Sequence, residues 1–521
     1  MAEITPMMKQ YLEIKEQNKD SILFFRLGDF YEMFNEDAQL ASRELDLTLT
    51  TRDRGKAAED QTPMCGIPYH SSDAYIARLI AKGYKVAICE QTEDPALAKG
   101  LVKRDIIRVI TPGTVIDSAC LDDRRGNFLC GIFLDGQNAG AAFCDMTTGH
   151  THVTAFSGDD RAEHLYNELS RFSPAEAVLS AGAYDNGELV EYLRDKLSCA
   201  VERGENRFEL KACEKAIRAQ FGEERFASLP RNNPAASLAL GALLSYLHET
   251  QKTDLSYIKD LEYYEQGRFM ELDLSARRNL ELTETIRAKE KRGSLLWVLD
   301  KTKTAMGARN LRAWLTRPLR DVAAIEHRLG AVEALTKNTV AREELILSLS
   351  GISDMERLIG RIAYGTAGGR DFASLRNSIE RITEVKAQLT AFTAGRLHEL
   401  DNELDTLTDV AQSIRDTLID ESPFSVREGG FIRKGYNAEV DRLHEILSGG
   451  KGLLADIETR EKEKTGIRTL KIGYNKVFGY YIEVSNSFKD LVPDTYIRKQ
   501  TLVNGERYIT EELKTLEQEI L

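Results

Sequence analysis

The sequence predicts a multidomain fold, α/β at first and then mainly α, and three observations predict it. A chain of 521 residues is too long for one hydrophobic core and suggests three or four domains. Between Pro234 and Pro423 the only proline is Pro318, and helix interiors exclude proline, so this stretch reads as helical. Before Pro234, apolar runs of strand character alternate with segments of helical spacing. Hydrophobic residues make up 42% and charged residues 29%, the proportions of a globular protein. No apolar run reaches the roughly 20 residues that span a bilayer. Met1-Ala2-Glu3-Ile4-Thr5 lacks the basic start and apolar centre of a signal peptide. Seven cysteines, odd in number and without a CxxC pair, argue against a disulfide framework or a zinc site. A cytoplasmic protein with no membrane partner is expected.

The first unit, 1–113, mixes short strands with helices. Ile22 to Leu27 is an apolar strand that Gly28-Asp29-Phe30-Tyr31-Glu32-Met33-Phe34 continues. Strand side chains alternate between faces, which sets Phe30 and Glu32 on one face and Tyr31 and Met33 on the other. The competing reading starts a helix at Phe30 and buries it with Phe34, Ala41 and Leu45 at helical spacing. Asn35-Glu36-Asp37 offers a helix start with acids in the first turn. Asp73 to Lys82 is an amphipathic helix, and Lys85 to Glu90 and Ile106 to Ile110 are strands.

A polar break at Asp117 to Arg125 precedes a second α/β unit, 120–234. Phe128 to Leu134, Ala139 to Asp145 and His150 to Phe156 form a three-strand meander with a turn at Asp135-Gly136. Helices around Arg161 to Phe172 and Asn186 to Leu197 cover it. A helical region, 235–423, follows, with helices at Ser275 to Lys289 and at Ala305 to Leu315, the latter stopped by Arg317-Pro318. Segment 424–502 carries a helix (Asn437 to Leu447), a turn at Gly449 to Gly452, a second helix and a hairpin of Thr469 to Asn475 with Tyr480 to Ser485. From 503 to 521 another helix begins, with Leu513, Leu516, Ile520 and Leu521 at helical spacing and no glycine cap. Its bare apolar end reads as part of a longer protein.

A net charge of −13 warns against a nucleic-acid partner, since backbone binding rests on Lys and Arg. Locally the balance reverses, with eight basic residues against four acidic between 462 and 499. Asp145, after an apolar strand, admits a metal-dependent nuclease, but no second strand-borne acid pairs with it. His150 and His152 share a strand face without a third ligand. A helical scaffold is a third class. No G-x-x-x-x-G-K-[ST] occurs, and Gly449-Gly450-Lys451-Gly452 has the wrong spacing for a phosphate loop.

Gly28-Asp29-Phe30-Tyr31-Glu32 resembles the Phe-x-Glu signature of the MutS DNA mismatch-recognition family. Thr62 to His70, Val86 to Gln91, Arg108 to Thr114, Lys471 to Asn475 and Gly479 to Ile482 follow in collinear order, so the resemblance covers essentially the whole chain. It implies a mixed α/β mismatch-recognition domain, a ribonuclease-H-like connector, a helical core and lever, and a clamp with a small antiparallel sheet. It also implies that Phe30 wedges into mispaired or unpaired bases from the minor groove, where weak pairing makes the kink cheap. Glu32 would hydrogen-bond the displaced base, with Met33 and Met64 supporting the wedge. Arg52, Arg108, Lys471, Lys476, Arg498 and Lys499 would hold DNA backbone. The implied partners are duplex DNA with mismatches or small loops, a second copy of the chain, and downstream mismatch-repair proteins, in a nucleoid-associated cytoplasmic location. No cofactor is expected within this chain, and no catalytic or metal-binding residue. ATP and Mg are implied only for a C-terminal domain beyond residue 521.

Overall fold

A computed structural model of the protein describes residues 5–52, 61–93, 100–117, 121–265, 267, 269–423, 426–475 and 479–520. The chain forms two units, one of residues 1–367 with 377–407 and the other of 368–376 with 408–521. No helix among the described residues is long and apolar enough to cross a membrane.

The first unit opens with helix α1 (Pro6–Glu16), capped by the Thr5 hydroxyl, and strand β1 (Ser21–Leu27). The apolar run then does not continue straight. Gly28 takes φ +57°, a left-handed conformation that glycine adopts without a Cβ clash, and the chain reverses into β2 (Phe30–Phe34), antiparallel to β1. Helix α2 (Asn35–Leu45) starts only after β2, so Phe30 belongs to a strand and not to a helical stripe. Strands β3 (Thr50–Thr51) and β4 (Pro63–Pro68), helix α3 (Ser72–Ala81), and strands β5 (Lys85–Gln91) and β6 (Arg104–Ile110) complete a six-stranded sheet of order β3-β4-β2-β1-β5-β6. Helices α2 and α3 cover one face through Ala38, Ala41, Leu45, Ile76 and Leu79. Helix α1 covers the other, laying Met7 and Tyr11 on Leu23, Phe25 and Phe34.

The expected meander appears as β7 (Phe128–Leu134), β8 (Asn138–Asp145) and β9 (His150–Ser157). It is the centre of a larger sheet. Helix α4 (Arg161–Phe172) leads to β10 (Glu176–Leu179). Short helices α5 (Ala181–Tyr184) and α6 (Gly187–Glu191), with a π-turn at Tyr192–Lys196, lead to β11 (Ala200–Arg203). Helices α7 (Leu210–Ala227) and α8 (Ala235–Gln251) precede β12 (Asp260–Tyr263), giving the order β11-β10-β7-β8-β9-β12. The boundary expected at residue 234 therefore moves. Helix α8 lies on this sheet, burying Ala236, Ala239, Leu240, Leu243 and Leu247 against Leu129, Ala142 and Val153. Two glycines admit it: a Cβ at Gly131 would stand 2.3 Å from the Ala239 carbonyl oxygen, and one at Gly140 would stand 2.1 Å from that of Ala235.

Helices α9 (Leu274–Asn279), α10 (Leu295–Leu299), α11 (Ala305–Thr316), α12 (Val322–Lys337), α13 (Thr339–Leu349) and α14 (Met355–Tyr364) continue the chain. The helix expected over Ser275 to Lys289 is only the six residues of α9. Beyond it Glu281 and Lys289 take positive φ, and the loop closes by hydrogen bonds from Leu295 N to Glu281 O and from Leu296 N to Leu282 O. These nonlocal bonds satisfy the backbone that a longer helix would have satisfied locally. Helix α11 ends at Thr316, ahead of Pro318 as expected. Helix α15 (Gly369–Leu389) runs from the second unit into the first, and α16 (Gly395–Glu403) follows.

The second unit holds α17 (Thr408–Thr417), α18 (Ala438–Thr465), β13 (Lys471–Asn475), β14 (Gly479–Ser485), β15 (Ile497–Thr501), β16 (Gly505–Ile509) and α19 (Glu511–Ile520). Helix α18 is continuous for 28 residues, so the turn expected at Gly449 to Gly452 is absent. Glycine costs about 1 kcal/mol in a helix interior, which strong helix formers on both sides offset. Its start is capped by Asn437, which accepts from Glu439 N and Val440 N. The helix expected from residue 503 gives way to β16, because Tyr508 and Glu506 pair across Ile482 and Val484 and bury with them. The four-stranded sheet has the order β13-β14-β16-β15. It packs Leu470, Ile482, Val484 and Tyr508 on Ile457 of α18 and on Leu513 and Leu516 of α19.

Candidate nucleic-acid interface

The reversal at Gly28-Asp29 determines where the Phe30 ring goes. Register pairs Leu27 with Phe30 and Phe25 with Glu32 across β1 and β2. It pairs Phe30 with Pro68, Glu32 with Gly66 and Phe34 with Met64 across β2 and β4. All of these lie on the face that α1 covers; Phe25 and Phe34 are buried in the cluster there and Leu27 and Met64 pack against it, but Phe30 lies outside it. At the uncovered end Phe30 stays 46% exposed, while Tyr31 and Met33, on the opposite face, are 6% and 0% exposed. Among the described residues Phe30 is the one phenylalanine in the set of exposed large hydrophobic side chains.

Glu32 stands half-buried beside it. Burial raises its carboxyl pKa above the ordinary value and the Arg52 charge opposes the rise, so the neutral, donating form is favoured relative to a free carboxylate. Gly66 leaves the space between the two side chains open. A Cβ there would lie 3.5 Å from Glu32 Cγ and 3.8 Å from Phe30 Cδ1. The opposite face is braced. Tyr31 donates its hydroxyl proton to Glu90, Arg26 pairs with the same carboxylate at 3.3 Å, and the Arg26 guanidinium stacks 3.4 Å from the Tyr69 ring centre. The Tyr69 amide also donates to the Asp29 carbonyl at 3.0 Å, tying the turn to the segment after β4.

The structure brings some expected residues together and removes others. Arg52 is exposed, with its guanidinium 6.0 Å from the Phe34 ring centre. Met64, half-buried, packs toward α1 on the face of Phe30. Met33 is fully buried on the opposite face among Ile22, Phe24 and Ile67, so it underlies the strand and cannot touch a ligand of the ring. Arg108 is likewise committed elsewhere. It donates to Gln251 Oε1 at 3.1 Å and to the Thr114 carbonyl at 2.9 Å, and it lies 4.9 Å from the Tyr364 ring centre. Burial lowers its pKa. It fastens β6 to α8 and α14, a role for which DNA backbone is not needed.

In the second unit Lys471 is exposed on the edge strand β13, and Lys499 is exposed at the bulge of the opposite edge strand, β15. The two edges are three strand spacings apart, about 14 Å. Lys476 lies outside the described residues. Arg498 pairs with Tyr508 in register, on the packed face of the sheet, and forms an ion pair with buried Glu506 at 3.3 Å. Its side chain nevertheless stays 63% exposed. Glu506 also accepts from Tyr508 at 2.5 Å and pairs with Lys489 at 2.9 Å. These contacts, the Tyr508 hydrogen bond foremost, bring its pKa down to about 2.

Asp145 is buried and fully engaged, accepting from Asn127 N, Thr147 N and the Thr147 hydroxyl. Such a carboxylate closes a turn. His152 pairs with Glu262 at 3.0 Å and His150 with Asp260 at 3.2 Å. The segment Gly449 to Gly452 is helical, and no residue pattern here fits the phosphate loop that would hold ATP.

Sequence reasoning missed Gly66 and the Arg26–Glu90–Tyr69 brace. Both depend on which residues of β4 and β5 sit opposite β1 and β2, and strand pairing leaves no local signal.

Three family models match in order: MutS domain I over residues 5–119, MutS domain II over 127–259, and MutS domain III over 275–520. The chain is 48% identical over 524 residues to the DNA mismatch repair protein MutS of Acetivibrio thermocellus, covering 100% of this chain and 60% of that protein. It is 48% identical over 521 residues to the DNA mismatch repair protein MutS of Ruminiclostridium cellulolyticum, covering 100% and 59%. It is 47% identical over 521 residues to that of Caldicellulosiruptor saccharolyticus, covering 100% and 58%. The chain thus spans about 60% of the length of these relatives. With three successive domains matched along nearly its whole length, the chain belongs to the MutS family.

Proposed function

We propose that this chain is the DNA-engaging portion of a mismatch-repair protein and that it selects mispaired or unpaired bases by inserting Phe30 from the minor groove. The observation that carries the reading is the ring itself, 46% exposed beside half-buried Glu32 on an otherwise covered sheet face. A flat apolar wedge unstacks a base step at a cost that is lowest where pairing is already broken. Glu32, with its raised pKa, supplies the hydrogen bond to the displaced base, and the open strip at Gly66 leaves room for it. Arg52, Lys471 and Lys499, with Lys476, supply phosphate contacts.

The second sheet, with its antiparallel centre and parallel flanks, supports a ribonuclease-H-like connector without catalysis, since Asp145 is spent on its turn. The helical stretch serves as core and lever, and the second unit as the clamp. In the complete protein two copies enclose duplex DNA, only one inserting its Phe30. ATP and Mg act in the part of the relatives' length that this chain does not span, and they couple binding to downstream repair proteins.

The test is a gel-shift titration of matched and single-mismatch duplexes with the chain extended to the length of its relatives. Tighter binding to the mismatch is expected, and equal affinity for the two duplexes overturns the reading.

A further inference from the structure

Away from Phe30, the first unit carries a partly open cavity of about 740 Å³ between the β7–β9 end of the second sheet, the close of α4, the loop after α9, and α11. Cavities of about 300–1,000 Å³ are of the size that takes small organic ligands. Among the described residues, nine lining side chains are lysine or arginine and four are carboxylates. Part of this excess is spent on internal partners. Arg309 is held by Asp354 and Glu356, Arg171 by Glu168, and Arg277 by the carbonyls of Leu272 and Asn167.

Arg312 and Arg317 are different. Neither guanidinium makes a hydrogen bond or an ion pair among the described residues. Nε of Arg312, and Nε and Nη2 of Arg317, are buried without a partner, as is the hydroxyl of Thr285, which also lines the cavity. Arg317 is held by cation–π contact, its guanidinium 4.0 Å from the Phe269 ring centre and 4.6 Å from that of Tyr264. Burial, with Arg125 near one and Arg171 near the other, disfavours both charges, and the acids Asp122, Glu284 and Asp300 around Arg312 and Glu168 and Glu262 around Arg317 offset this only in part. Like charges gathered in a concavity with unused donors are costly unless an anion answers them. The planar fork of arginine fits phosphate oxygens two at a time. Phe128 and Phe172 also line the cavity and meet edge to face, their ring centres 4.9 Å apart.

We infer that this cavity binds a small phosphate-bearing anion through Arg312 and Arg317, at a site separate from the Phe30 surface. The phosphate could be inorganic or carried by a nucleoside, whose base would lie against these rings.

Isothermal titration calorimetry of the 521-residue chain at fixed ionic strength, with sodium pyrophosphate in one arm and adenosine monophosphate in the other, tests this. One saturable equivalent is expected in at least one arm. R312Q and R317Q should each weaken it tenfold or more, and K337Q, an exposed control, should leave it unchanged. Adenosine monophosphate binding tenfold tighter than pyrophosphate assigns the nucleoside source, and pyrophosphate binding as tightly or more tightly assigns phosphate alone. R312Q should also raise or preserve the melting temperature of the free chain while abolishing the shift that ligand produces. Should R317Q melt early because its ring contacts are lost, R317K keeps the charge and packing and should bind with an intermediate affinity. No saturable heat in either arm, or wild-type affinity in both R312Q and R317Q, overturns the proposal.

Discussion

Glu32 and Gly66 face each other across the β2–β4 pair, and because residue 66 has no side chain, the carboxylate and the Phe30 ring flank an open notch instead of a filled one. A Cβ at 66 would meet Glu32 Cγ at 3.5 Å and the Tyr31 carbonyl oxygen at 3.4 Å, close contacts without a severe clash. Gly66→Ala is therefore expected to fold with a melting temperature near that of the parent. In the protein extended to the length of its relatives it should reduce the preference for mismatched over matched duplex. Titrations of both duplexes beside a melt check this; an early melt with the preference intact would make Gly66 a packing residue only.

Phe30→Ala separates wedge from core. A fully buried phenylalanine truncated to alanine costs about 3–5 kcal/mol of stability, but Phe30 is 46% exposed and should cost far less. Stacking on a base is worth about 1–3 kcal/mol, so mismatch affinity should fall roughly ten- to hundredfold while salt-sensitive, non-specific binding survives. Circular dichroism melts read the first quantity and duplex titrations the second.

Lys471 contacts, if any, fall on phosphate, which carries no base identity. Lys471→Glu should lower affinity for matched and mismatched duplex by similar factors and flatten the dependence on salt. A loss confined to mismatched DNA would place this edge of the clamp sheet near the wedge.

Gly140 lies where α8 crosses the second sheet, with space for a hydrogen and nothing larger. A methyl there would come within 2.1 Å of the Ala235 carbonyl oxygen, so Gly140→Ala must push the helix away. Overpacking of this kind costs about 1–3 kcal/mol, visible as a lower denaturation midpoint. An unchanged midpoint would mean that α8 is free to shift.

Glu506 links the clamp sheet to pH. Its pKa is brought down from 4.5 to about 2 in the folded chain, first by the Tyr508 hydrogen bond and then by Lys489. A depressed carboxylate contributes stability that is fully present above its unfolded value and is lost as pH falls toward the folded one. Glu506→Gln should therefore destabilise the second unit at neutral pH, and its deficit should narrow as pH is lowered from about 4.5 toward 2. Denaturation of the two proteins at several pH values measures the difference, and a constant deficit would assign the loss to packing.

Much of this architecture was legible locally. The meander of β7, β8 and β9, the amphipathic α3, the end of α11 ahead of Pro318 and the shared face of Phe30 and Glu32 all follow from alternation, helical spacing and proline, which act within a few residues. Elements whose partners are remote were not legible. Strands β10, β11 and β12 are four residues each and exist as strands because β7, β10 and β9 respectively offer them free edges. Helix α18 runs through its glycines because helix on both sides outweighs their local cost, and β16 is a strand because β14 and β15 flank it.

The candidate site divides in the same way. Sequence by itself determined that a ring and a carboxylate would share a face near Gly28 and that basic residues would gather around the last hairpin, since strand alternation and residue charge need no partner. Only the tertiary structure decided which of these groups remain available. Phe30 is open because it lies beyond the cluster that α1 covers, and Met33 is closed because α2 and α3 cover its face. Arg108 is taken by Gln251, 143 residues away, whereas Arg498 pairs with Glu506 and still stays exposed. Whether an arginine is free depends on the carboxylates and carbonyls that folding brings to it, and those contacts lie far beyond the range of any local pattern.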